Sequence, residues 1–159
     1  HILNVITPFY FLYFYNMATT FNPDKKIRKA LFNMFNNIVV NTKTIKCYDM
    51  MVSQNENIDN YILLTSQSKE RNKANKCEYR WDCSILIEIF CKATSNGNNG
   101  SRVLLNDIEE KVNEFLDTDF TVSQFEVLTK NWNTEAQLET ITEFEIITRS
   151  FVSLDLTLN

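Results

Sequence analysis

Taken alternately, the residues from Lys76 to Ala93 (KCEYRWDCSILIEIFCKA) separate into two series. Cys77, Tyr79, Trp81, Cys83, Ile85, Ile87, Ile89, Cys91 and Ala93 are apolar, whereas Glu78, Arg80, Asp82, Ser84, Leu86, Glu88, Phe90 and Lys92 are largely polar or charged. A period of two is that of a strand with one face buried. The pattern predicts one β-strand of roughly 55 Å at about 3.3 Å per residue, against a usual strand of about five or six residues. Part of it is therefore expected to protrude as a ribbon. β-Branched and aromatic residues dominate the run, which disfavours a helix.

The rest of the chain arranges itself around this strand. Asn22-Pro23-Asp24 is a helix start: an Asn cap, Pro at the first helical position and an acid in the first turn. Ile27, Ala30, Leu31, Met34, Phe35 and Ile38 then recur at helical spacing, opposite Lys25, Lys26, Arg28, Lys29 and Asn33. The spacing predicts an amphipathic helix ending near Asn36-Asn37, with a basic outer face. Thr44–Val52 and Asn60–Ser66 read as the two strands of a hairpin, and the polar Gln67–Asn75 as an exposed loop. Thr94–Gly100 (TSNGNNG) is a loop holding both glycines.

Ser101 is placed to cap a second helix through Leu116, with Leu104, Ile108, Val112, Phe115 and Leu116 as its apolar stripe. Asn106, Glu109, Glu110, Asn113 and Glu114 are expected to face outward. Gln124–Trp132 predicts a strand, and Asn133–Leu138 a polar connection. In Phe144–Leu158, Phe144, Ile146, Val152, Leu154, Leu156 and Leu158 share one face, while Ile147 and Phe151 break the polar side. That two-sidedness suits a central strand, or one covered by a neighbouring subunit. The expected fold is α+β, in the order α-β-β-β-α-β-β: a mostly antiparallel sheet with a long β-ribbon and two helices packed on one face.

Composition narrows the functional classes. The 159 residues, 44% hydrophobic and 23% charged, suit one domain with a single core. A net charge of −4 argues against nucleic-acid binding through a global positive field. Cys47, Cys77, Cys83 and Cys91 lack zinc-site spacing and read as buried, reduced thiols, the usual state inside cells. His1–Asn16 (HILNVITPFYFLYFYN) has no initiating Met and no signal-peptide pattern, and is short for a membrane span. Translation is expected to begin at Met17. Residues 1–16 then form a non-native or flexible extension and 17–159 a single domain, with no membrane partner.

Chemistry is sparse. With His1 set aside there is no histidine, hence no Ser-His-Asp or Cys-His pair. No phosphate-binding glycine loop, HExxH or EF-hand pattern occurs, so neither cofactor nor metal is expected. Glu109-Glu110, Asp117 with Asp119, and Glu143 with Glu145 are paired carboxylates at helix ends or solvent faces. Asp49 with Glu78-Tyr79-Arg80 only approximates a magnesium-dependent nuclease site, Arg standing where Lys is required. No catalytic residue is assigned. Tyr79, Arg80, Trp81 and Asp82 on the long strand, with Trp132 and Phe151, have the composition enriched at protein contacts.

The order and content of these elements resemble the tail-terminator or tail-completion family of tailed phages, and are similar in kind to the connector ring proteins of crAss-like phages. The elements that match are Pro23–Asn37 as first helix, Trp81–Ala93 as alternating strand, Ser101–Leu116 as second helix and Phe144–Leu158 as closing strand. The resemblance implies a structural virion protein, assembled in the bacterial host cytoplasm into a head-to-tail connector or tail ring. Its partners would be itself, as a sixfold or twelvefold cyclic homo-oligomer, and neighbouring portal, connector and tail proteins. DNA would pass through the lumen without sequence-specific binding. The alternatives are a small protein-binding module of adaptor or immunity type and, further off, a divalent-metal nuclease.

Overall fold

The computed structural model describes residues 22–50, 52, 58–73, 79–94 and 101–159, without the side chains of residues 73, 79 and 94. The elements run α1 (Pro23–Phe35), β1 (Ile38–Val40), β2 (Lys43–Tyr48), β3 (Asn60–Lys73), β4 (Tyr79–Thr94), α2 (Arg102–Asp117), β5 (Val127–Ile141) and β6 (Glu145–Leu158). The fold is α+β: one six-stranded sheet, ordered β1-β2-β3-β4-β6-β5, with every neighbouring pair antiparallel except β2–β3. The expected extension at residues 1–16 and the predicted loop at 95–100 lie outside the described residues.

β4 is the sheet's spine, paired with β3 on one side and with β6 on the other. Its alternation holds. Cys83, Ile85, Ile87, Ile89 and Cys91 point into the core, opposite Leu156, Leu154, Val152, Ser150 and Thr148 of β6. Both helices cover this face. Ile27, Leu31 and Phe35 from α1, and Leu104, Leu105, Ile108, Val112 and Leu116 from α2, close one continuous cluster. Each fully buried Ile or Leu contributes about 1.5–3 kcal/mol.

The first helix ends as expected, at Phe35 with Asn36 as its cap. Several other local expectations are corrected. Ile38 leaves the helical stripe, because Asn37 turns left-handed (φ 62°) and carries it into the short strand β1. The tight hairpin is β1–β2, turned through Asn41 and Thr42, both at positive φ (47° and 67°). Asn41 donates to Asp107 Oδ2 on α2 at 2.5 Å, which holds the turn to the helix. β2 therefore pairs with β3 in parallel, not as a hairpin.

The supposed Gln67–Asn75 loop is strand as far as Lys73, its backbone bonded to β4. The supposed connection Asn133–Leu138 lies inside β5. Nor does β4 protrude as a bare ribbon. Among the described residues β6 follows it to the pair Trp81–Leu158, leaving only Tyr79 and Arg80 beyond, and these still pair with β3. Residues 76–78 of the expected strand lie outside the described residues.

Polar side chains explain both hidden stretches. In β3, residues 65 and 66 bulge opposite a single β4 residue, between the pairs Leu64–Ile87 and Gln67–Ile85. Arg28 reaches into that bulge from α1. It donates to the carbonyls of Leu64 (2.5 Å) and Thr65 (3.1 Å), to Gln67 Oε1 (3.3 Å), and to Asp49 Oδ1 and O (2.5 Å each). Far from belonging to a free basic face, Arg28 locks helix to sheet.

α2 is seated on β5 by a rail of the same kind. Arg102 bonds Glu139, Gln137 donates to Asn106 (2.9 Å), Trp132 Nε1 donates to Asp117 (3.1 Å) and Lys130 to the Thr118 carbonyl (2.7 Å). Glu109 accepts from Ser150 (2.5 Å), Thr134 and Gln137 (3.2 Å each). Glu109 thus faces β5, whereas Asn106 stays exposed as expected while accepting from Gln137.

Candidate assembly surfaces

The helices leave one face of the long sheet uncovered among the described residues. Its upper part is aromatic. Tyr48 meets Tyr61 edge-on at 5.8 Å, and Tyr61 stacks on Phe90 at 4.5 Å. The Arg149 guanidinium lies 5.5 Å over Phe90, with its Nε 3.5 Å from Glu88. Phe90 is only 8% exposed and Glu88 only 9%, although no further layer lies above them among the described residues. Burial, reinforced by the Glu88 charge, raises the Tyr61 phenol above its ordinary pKa. Leu63, Leu86, Ile147 and Phe151 are half-buried alongside.

At its lower end the same face opens into a trough of about 470 Å³ that carries Glu70, Asp82 and Asp155. Asp82 accepts from Asn72 and from Thr157 (3.0 Å).

A second surface is the tip of the β5–β6 hairpin. Ile141 faces Ile146, and Thr142 closes the turn: its N–H donates to the Glu145 carbonyl (2.8 Å) and its hydroxyl accepts the Glu145 N–H (3.0 Å). Ile141 (70%) and Phe144 (68%) are exposed there, with Leu138 and Ile146 beside them. Phe144 was expected on the buried face of the last strand. It lies in the turn before β6, beyond the reach of the core.

A third surface flanks α1. An open hollow of about 600 Å³ lies beside its first turns, with Phe32 as the apolar wall and Lys25 and Lys29 on the rim.

The sequence-predicted contact residues are not gathered in one place. Arg80 and Asp82 are exposed on the helix-free face, where Phe151 is half-buried. Trp81 and Trp132 lie on the helix side, packed against the core; Arg71 sits 5.7 Å over Trp81. Tyr79 starts β4 opposite Lys73, and its side chain lies outside the described residues.

One member of each acidic pair is engaged structurally: Glu109 and Asp117 seat α2, and Glu145 pairs with Lys92 at 2.6 Å. Asp49 is bound by Arg28, and Glu78 lies outside the described residues. Among the described residues no group of three His, Cys, Asp or Glu is placed to hold a metal. Among them, too, no helix is long and apolar enough to cross a membrane. Cys47, Cys83 and Cys91 are buried free thiols; Cys77 lies outside the described residues.

Sequence reasoning missed the hairpin tip and the α1 hollow. A signal for the tip was present, because Thr142-Glu143-Phe144 places a large aromatic in a turn, where polar residues are the rule. For the hollow the signal was the basic face of the first helix, since all its lining residues but Asp49 come from residues 22–32.

No protein family's sequence profile matches the chain, and no curated protein matches it. Among solved structures it is similar to a chain of the "Virion of native gene transfer agent (GTA) particle", with a TM-score of 0.52 at 12% identity. The match covers 82% of this chain and 94% of that one. The likeness is one of fold. It spans nearly all of the other chain, so the comparison is between whole folds.

Proposed function

We propose that this protein is a structural component of a tailed, phage-like virion and forms an oligomeric ring around the DNA channel in the head-to-tail connector or tail. The observation that carries the reading is the fold likeness, over 82% of this chain, to a chain of a gene transfer agent virion. The surfaces support it. An exposed apolar hairpin tip and an uncovered aromatic sheet face are features that neighbours normally cover. Identical subunits joined by unlike surfaces close into a ring when the rotation permits. Arg80, Asp82 and Phe151 lie on the uncovered face and are the contact residues this reading retains there.

In such a ring, sixfold or twelvefold, portal, connector and tail proteins lie above and below, and DNA crosses the lumen without base-specific contacts. The test is the native mass of the full chain across a concentration series, with electron microscopy of any large species. Closed rings of one size support the reading. A monomer at every concentration overturns self-assembly and leaves a small protein-binding module as the better description.

A further inference from the structure

We propose that the β5–β6 hairpin tip of one copy seats Phe144 in the hollow beside α1 of the next copy, so that subunits join head to tail. This rests on the self-assembly reading above and names the contact within it.

The two surfaces match in chemistry. The tip offers Phe144 and Ile141, both largely exposed, with the carboxylate of Glu143 beside them. The hollow offers Phe32 as an apolar wall and Lys25 and Lys29 as cations at its rim. The other charges lining the hollow are already engaged, Asp49 with Arg28 and Asp24 with Lys69 (2.5 Å), and at the tip Glu145 is paired with Lys92. Among the described residues Glu143, Lys25 and Lys29 have no ion pair. An acid beside an aromatic knob thus faces two bases around an aromatic wall. The paired hydrogen bonds of Thr142 and Glu145 hold the tip in shape before contact, which lowers the ordering cost of docking.

Position makes the contact intermolecular. The tip adjoins the Thr94 end of β4, where Thr94 pairs with Glu145. The first turn of α1 is tied through Asp24 and Lys69 to the Cys83 end. These ends are separated by roughly 35 Å of strand, so the knob cannot reach its own hollow. Unlike surfaces at opposite ends of one body form a heterologous contact, which repeats until it closes.

Strand addition is a weaker route. The outer edge strand β5 is interrupted by two bulges, near Val127/Thr129 and Thr134/Ala136, and Arg28 occupies the carbonyls of Leu64 and Thr65 in β3.

The test uses the full chain and variants that leave the core intact. Phe144→Asp removes the knob, and Lys25→Glu with Lys29→Glu alters the hollow; all three positions are exposed, so the unfolding midpoint should not move. Each should raise the concentration for half-assembly, Phe144→Asp by on the order of a hundredfold, as for a central aromatic anchor. Adding Glu143→Lys to the double charge reversal should restore most of the loss. Mixing knob-deficient with hollow-deficient chains should give a one-to-one dimer and nothing larger.

Wild-type assembly by Phe144→Asp would overturn this contact while leaving the ring reading standing. A wild type that is monomeric throughout would overturn both. If deleting residues 1–16, and not changing Phe144, abolishes assembly, the hollow belongs to that segment and the contact is wrong.

Discussion

Removing the Arg28 guanidinium should loosen α1 from the sheet more than any other single surface-reaching change. Arg28 is 20% exposed at its side chain and donates to five acceptors at the β3 bulge and at Asp49. Arg28→Met keeps the aliphatic stem and nearly the same helix propensity, so the loss reports the hydrogen bonds. Bonds to a charged donor contribute about 1.5–3 kcal/mol each when buried. The Asp49 carboxylate is 53% exposed, which reduces its share to about 0–1 kcal/mol. The carbonyls of Leu64 and Thr65 at the bulge, both partly buried where they meet Arg28, supply the rest.

The expected cost is about 3 kcal/mol, or roughly 6–12 °C in Tm at 2–4 °C per kcal/mol for a chain of this size. Arg28→Lys should recover only about 1 kcal/mol, since one ammonium cannot serve acceptors on both sides of a fork. Urea unfolding measures this as a lower midpoint at unchanged slope. Amide exchange should rise at Leu64–Gln67 and through α1. A Met variant within about 0.5 kcal/mol of wild type would refute the view that Arg28 fixes the helix on the bulge.

Other consequences follow from the same contacts. Burial pushes the Cys47 and Cys91 thiols up to about 12 and that of Cys83 up to about 11. These groups stay protonated in the fold while the unfolded chain ionises near about 8.5. Their contribution is therefore complete below that pH and is lost as pH rises through 11 to 12. Urea midpoints should fall from pH 8 towards that range, less so in Cys91→Ala, and iodoacetamide at pH 8 should label these thiols only after denaturation. Glu109→Ala removes the shared acceptor of Ser150, Thr134 and Gln137, and should cost about 2 kcal/mol; faster exchange in β5 with β3 unchanged is the signature. Asn113→Ala should raise stability by about 0.5–1 kcal/mol, because its buried Oδ1 has no partner among the described residues and Ala is the better helix former. Thermal unfolding of that variant checks the sign.

Much of the fold was written locally. The Asn22-Pro23 start, the Ser101 cap with its bond to the Leu104 N–H, and the alternation of Cys83 through Cys91 need only neighbouring residues to be read. The same holds for the inward row Val152, Leu154, Leu156 and Leu158. Such elements are legible because each repeats the period of its backbone against one apolar layer. What tertiary structure decided lies where polar residues bond across long separations. Gln67–Lys73 and Asn133–Ile141 carry loop-like compositions, yet are strands because β4 and β6 supply their backbone partners and α1 and α2 their side-chain partners. The parallel β2–β3 pairing follows from a two-residue turn at Asn41-Thr42, which claims β2 for β1 first.

The candidate surfaces divide in the same way. Phe144 and Ile141 were visible as apolar residues, but only the register of β5 on β6 puts them at a tip beyond the core. Trp81 and Trp132 stood out by size, and helix packing turned both inward. The sequence by itself determined which residues seek burial. The tertiary structure decided which of them run out of core to be buried in, because that depends on where a strand ends relative to helices distant in sequence.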